Sequence, residues 1–148
     1  MIARIDHLNI VVSDLEQSKG FFLLLGFSEG LSAELDSAFL EALSGIAGTR
    51  GRFVTLHHPG ANVALELLQF DRDGGADPGL GRADRIGLRH LAFAVTDIDA
   101  TVKRLMEHGV EFLSPVQTWH HTGKRLVYCH GPDGILLELA EYPHEPVS

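Results

Sequence analysis

Two stretches of the chain alternate apolar and polar side chains with a period of two, Ile5 to Val12 and Leu88 to Val95, and each predicts a short strand. Asp14 and Asp97 follow these runs and suit helix N-caps, with Gln17 completing a capping box in the first case. Helices are expected from about Leu15 to Leu25 and from Ile98 to His108. In the second, Ile98, Val102, Leu105 and Met106 fall on one face. Gly26 and Gly109 are natural residues just beyond a helix C-terminus, because glycine accepts positive φ. Three more strands complete each half; in the second they are placed near Glu111–Thr118, Arg125–His130 and Ile135–Glu141, with Pro132-Asp133-Gly134 as the turn between the last two. Ser37–Leu43 suits a short helix, and the Gly-, Asp- and Pro-rich stretch Asp71–Arg85 reads as a linker.

The two halves are one pattern written twice. Ile5–Leu15 lies over Leu88–Ile98 without a gap, so that His7 meets His90 and Asp14 meets Asp97, an offset of 83. Downstream, Val63–Leu67 lies over Ile135–Leu139, Glu66 meeting Glu138 at an offset of 72, and that register runs back through His58 over His130 to Arg52 over Lys124. The difference of 11 assigns an insertion to the first half, at about Leu35–Gly48. The expected class is therefore α+β, with two tandem βαβββ modules in one domain spanning 1–148: module 1 over about 1–70, a linker over 71–85 and module 2 over 86–142.

Composition narrows the partners. Hydrophobic residues at 45% and charged residues at 22% of 148 are ordinary for a folded domain. A net charge of −8 with scattered Lys and Arg argues against nucleic acid or an anionic membrane. Cys129 is the single cysteine, in an apolar strand-like run, which excludes an intrachain disulfide and a Cys-based zinc site and predicts a buried structural thiol. The N-terminal residues carry Arg4, Asp6 and His7 and no signal-peptide pattern, and no apolar run is long enough to span a bilayer, so a cytoplasmic location is expected.

The repeat places chemistry. Side chains alternate across a strand, so His7 shares a face with Ile5, Asn9 and Val11, and His90 with Leu88, Ala92 and Ala94. Glu66 goes with Ala64 and Leu68, and Glu138 with Leu136 and Ala140. A carboxylate inside a hydrophobic strand costs several kcal/mol unless it is paired. A divalent cation held by His7, Glu66, His90 and Glu138 removes that cost, and two imidazoles with two carboxylates suit Ni, Co, Fe, Mn or Zn with positions left for substrate. One His or one Glu in a strand would signify little; the same pairing at matched positions of a repeat is the signal. Asn9 could hydrogen-bond a substrate. His57-His58 and His120-His121 are adjacent pairs, expected in solvent or loops, and Trp119 is expected to pack on a hairpin more than to wall a pocket.

These motifs, Ile5-Asp6-His7-Leu8, Ala64-Leu65-Glu66-Leu67, Leu88-Arg89-His90-Leu91-Ala92-Phe93 and Pro132-Asp133-Gly134-Ile135-Leu136-Leu137-Glu138-Leu139, resemble the vicinal oxygen chelate superfamily of glyoxalase I, methylmalonyl-CoA epimerase, extradiol dioxygenases and drug-resistance proteins. The resemblance spans Ile5 to Tyr142. It implies a cup-shaped mixed sheet around the metal, a small vicinal-oxygen substrate and a homodimer. The His, Glu, His, Glu set is similar to glyoxalase I. That similarity implies a lyase or isomerase that moves a proton through a metal-stabilised enediolate, with Glu138 as base and Glu66 as its partner. Val11 stands where a glutathione-contacting Arg would be expected, which argues against glutathione. The alternatives are an epimerase-like isomerase, an extradiol dioxygenase using His7, His90 and Glu138, and a non-catalytic drug- or metabolite-binding protein.

Overall fold

The computed structural model describes residues 1–72 and 74–143. Asp73 of the expected linker, and residues 144–148 of the expected domain, lie outside the described residues. The chain divides into two compact units, Met1–Gly75 and Ala76 onward. None of the helices among the described residues is long and apolar enough to cross a membrane.

The first unit runs β1 (His7–Val11), α1 (Leu15–Leu24), β2 (Ser28–Leu35), α2 (Ser37–Ser44), β3 (Gly51–His57) and β4 (Ala64–Phe70). Its sheet has the order β1-β4-β3-β2, with β1 parallel to β4 and the other pairs antiparallel. The second unit runs β5 (His90–Ala94), α3 (Ile98–Glu107), β6 (Gln117–Trp119), β7 (Lys124–His130) and β8 (Leu136–Glu141), in the same order, β5-β8-β7-β6. The α+β class and the duplication hold. The inserted segment of the first half is the α2 helix, capped by the Asp36 carboxylate on the Phe39 N–H. The strand expected over Glu111–Thr118 is shorter: only Gln117–Trp119 pairs as β6, and Phe112 makes one isolated bridge to Cys129. Ser114 and Pro115 interrupt that stretch, and proline has no N–H for a ladder.

Helix ends repeat in detail. The Asp14 carboxylate accepts from the Gln17 N–H, and Asp97 from the Ala100 N–H. At the other end Gly26 and Gly109 adopt φ of 93° and 80°. Phe27 N–H then reaches Phe22 O and Val110 N–H reaches Leu105 O, the Schellman closure in both modules. The last strand also supplies a cap. Gln69 Oε1 accepts from the Leu15 N–H at 3.0 Å, and Glu141 Oε2 from the Ile98 N–H at 2.7 Å.

Each sheet keeps one face for its helix. Phe22, Val54, Leu56, Leu65 and Leu67 are buried in the first unit, and Ile98, Leu105, Val127, Cys129, Leu137 and Leu139 in the second. The strand register corrects one alignment. Thr55 lies opposite Glu66, whereas Tyr128 lies opposite Glu138. The structural counterpart of His130 is thus His57, not His58, and Lys124 stands opposite the place of Gly51, not Arg52. The connection from β3 to β4 is one residue longer than that from β7 to β8, and a one-residue slip moves every side chain to the other face.

Candidate metal and substrate site

In the first unit His7 and Glu66 come from the parallel neighbours β1 and β4. Asn9 is directly opposite Glu66 and His7 is two residues back on the same face. His7 Nε2 lies 3.7 Å from Glu66 Oε1, and Asn9 Nδ2 donates to that same oxygen at 2.9 Å. The other imidazole nitrogen, Nδ1, lies 3.0 Å from Asp6 Oδ2. This contact with Asp6 is the main reason the His7 pKa is raised, and it lowers that of Asp6 in turn. A carboxylate on Nδ1 orients the ring and leaves Nε2 as the ligating atom, the usual support of a metal-binding His.

The second unit repeats the pair with different supports. Ala92 is opposite Glu138, so the Asn9 position is empty of an amide. His90 Nε2 lies 3.4 Å from Glu138 Oε2, and Lys124 Nζ donates to Glu138 Oε1 at 2.9 Å. That hydrogen bond is the largest cause of the raised Lys124 pKa. The Glu138 side chain is 7% exposed against 24% for Glu66. The Tyr128 ring covers His90 at 5.3 Å between centroids, and Lys124 also lies 5.3 Å from the centre of the Tyr142 ring.

The donor chemistry fits a cation. Two atoms each about 2.1 Å from an ion, at octahedral to tetrahedral angles, stand about 3.0–3.4 Å apart. Both His–Glu separations are close to that spacing. Among the described residues no group of three or more His, Cys, Asp or Glu side chains is gathered in a way that would hold a metal, so within each unit the set is one imidazole and one carboxylate.

Four other histidines make local contacts. His58 Nδ1 accepts from the Gly60 N–H at 3.0 Å and its ring meets Phe27. His120 and His121 stack on each other in the β6–β7 turn, and Trp119 meets His121 edge-on. His130 Nε2 lies 3.4 Å from Gly81 O. Sequence reasoning passed over Lys124 and Tyr128. Counting back from Glu138 through the Pro132-Asp133-Gly134 turn would have found them, as the first and fifth residues of β7 share one face.

A duplicated βαβββ chain with a His–Glu pair on the open face of each sheet defines the class of protein. The sequence matches the Glyoxalase/Bleomycin resistance protein/Dioxygenase superfamily over residues 4–139, and the chain belongs to that superfamily. It is 31% identical over 141 residues to the Escherichia coli protein YaeR, covering 95% of this chain and 97% of that one. It is also 31% identical to an ethylmalonyl-CoA/methylmalonyl-CoA epimerase of Cereibacter sphaeroides, over 95% of this chain and 99% of the epimerase. A glyoxalase-family protein from Bacillus cereus superposes with a TM-score of 0.86 at 26% identity, over 96% of this chain and 95% of that one.

Proposed function

We propose that the chain is a divalent-metal-dependent lyase or isomerase of glyoxalase I type, acting on a small substrate with vicinal oxygens. The observation that carries this reading is the His–Glu pair, repeated at equivalent places with Nε2–Oε spacings of 3.7 and 3.4 Å. His7, Glu66, His90 and Glu138 would hold one ion of Ni, Co, Zn, Mn or Fe. When bound, such an ion polarises the substrate oxygens and acidifies the adjacent C–H. Glu138 is the base that removes this proton, through Oε2, the oxygen that Lys124 leaves free. Glu66 is its partner on the other carbon. Asn9, with one amide N–H committed to Glu66, has the second for a substrate oxygen.

The second reading is an epimerase-like isomerase, supported by the end-to-end similarity to the Cereibacter sphaeroides epimerase. The two differ in substrate but share the proton transfer. Elemental analysis of protein purified without chelator or metal resin should give one transition metal per His–Glu–His–Glu set. Solvent-deuterium exchange should then be followed with hemithioacetals and with 2-methyl acyl-CoA thioesters. Whichever class exchanges names the reading. Loss of one of these carboxylates from catalysis should cost about 10²–10⁴-fold in rate, so Glu138→Gln with undiminished exchange would refute its role as base. Metal content unchanged in His90→Ala would refute the ligand set.

A further inference from the structure

The face of the second sheet that carries Glu138 also carries an apolar groove of about 380 Å³ beside it. Trp119, Leu126 and Tyr128 line it, with Gln117 and Ser114 at its edge and Lys124 as its cation. The strand register places these side chains together: Trp119 is opposite Lys124, Gln117 opposite Leu126 and Tyr128 opposite Glu138. Trp119 is 51% exposed, a large aromatic surface left open on a hairpin. An exposed indole beside a lysine, above a face with two buried apolar neighbours in Leu136 and Ala140, is a wall for a flat apolar group.

Lys124 has no counterpart in the first module, where Gly51 occupies its place. It serves Glu138 Oε1 with one of its three N–H donors. His90 approaches the other oxygen of that carboxylate, at 3.4 Å. Tyr142 takes a second of the Lys124 donors, which leaves one for a further acceptor at the rim of a groove that is otherwise apolar.

We propose that this groove binds a small organic carboxylate bearing an aromatic or branched apolar substituent, the carboxylate on Lys124 and the substituent between Trp119, Leu126 and Tyr128. The volume sits at the small end of ligand sites, enough for one ring and a short acid within the groove. The proposal deepens the proposed function by naming the substrate class at the same site. It rests on that reading only for what is done to the ligand.

Trp119 is the only tryptophan of the chain, so its fluorescence reports this groove alone. Titration with phenylacetate and with phenylacetamide, its neutral counterpart, is the test, on protein as purified and after chelator treatment. Phenylacetate should shift or quench the emission saturably, and the amide should bind at least about tenfold more weakly, as one charge-assisted hydrogen bond requires. Lys124→Met should bring the acid down to the level of the amide, and Lys124→Arg should keep the preference. No saturable response below about 10 mM, equal binding of acid and amide, or a preference that survives Lys124→Met would overturn it. The wild-type comparison of acid with amide stands even if Lys124→Met fails to fold. Acid binding in a protein that holds no metal and exchanges no proton would leave this inference standing and remove the enzymatic one; metal and exchange without acid binding would do the reverse.

Discussion

Cys129 and Glu138 are both buried in the second unit, on opposite faces of its sheet. Cys129, 1% exposed, packs as a small apolar residue, and burial pushes its thiol up from 9.0 to about 11. The folded state thus holds this proton more tightly than the unfolded state. The resulting contribution is complete below pH 9.0 and is lost as pH rises through about 11. Urea midpoints followed upward from pH 8 should fall, and Cys129→Ala should remove that part of the slope. A thiol reagent at pH 8 should leave the native protein unlabelled and react on unfolding. Glu138 is a buried carboxylate of the same sheet and accepts from Lys124. Lys124→Met leaves that carboxylate without its ammonium and should cost about 2–3 kcal/mol of stability. Adding Glu138→Gln should recover part of the loss, because a neutral amide needs no cation. Denaturant melts of the two single variants and the double variant would measure the coupling.

At the scale of elements, the repeat is most faithful where the backbone needs a particular conformation. Both helices end on a left-handed glycine with the same pair of closing hydrogen bonds. A Cβ on Gly109 would meet nothing within 4 Å, so Gly109→Ala isolates the cost of its φ of 80°. That cost should be about 1–2 kcal/mol, read as a lower urea midpoint with an unchanged slope. The cap from the last strand is a second shared device. Glu141→Ala removes the acceptor of the Ile98 N–H and should cost about 1 kcal/mol, seen in amide exchange of the first turn of α3. The repeat is least faithful in its turns, where one extra residue between β3 and β4 puts Arg52 on the helix side, donating to Gln69, while Lys124 faces the site.

Over the whole molecule, duplication is economical chemistry. Each module alone brings together one imidazole and one carboxylate, half of the four-ligand set proposed above. The proposed enzyme must therefore draw on both, from one chain or from two copies. Light scattering should find the homodimer that the superfamily resemblance implies. Mixing His7→Ala protein with His90→Ala protein, after co-refolding, separates the arrangements. Sites shared between copies would recover metal and activity in a fraction of the mixed dimers, and sites built within one chain would recover none.

Much of this was legible in the sequence because the signals are local. The alternation around His7 and His90, the caps at Asp14 and Asp97 and the glycines at Gly26 and Gly109 depend on the backbone of a few neighbouring residues, so pattern alone determined the modules, the helices and the faces of the two His–Glu pairs. Tertiary structure decided what depends on pairing between distant strands. The Asp6 contact on His7, the amide of Asn9 on Glu66 and the ammonium of Lys124 on Glu138 all follow from which residue ends up opposite which. That register is set by turn lengths, and a one-residue difference between the modules moved Lys124 to the site and His58 away from the place of His130, because side chains alternate with a period of two and an odd step changes the face.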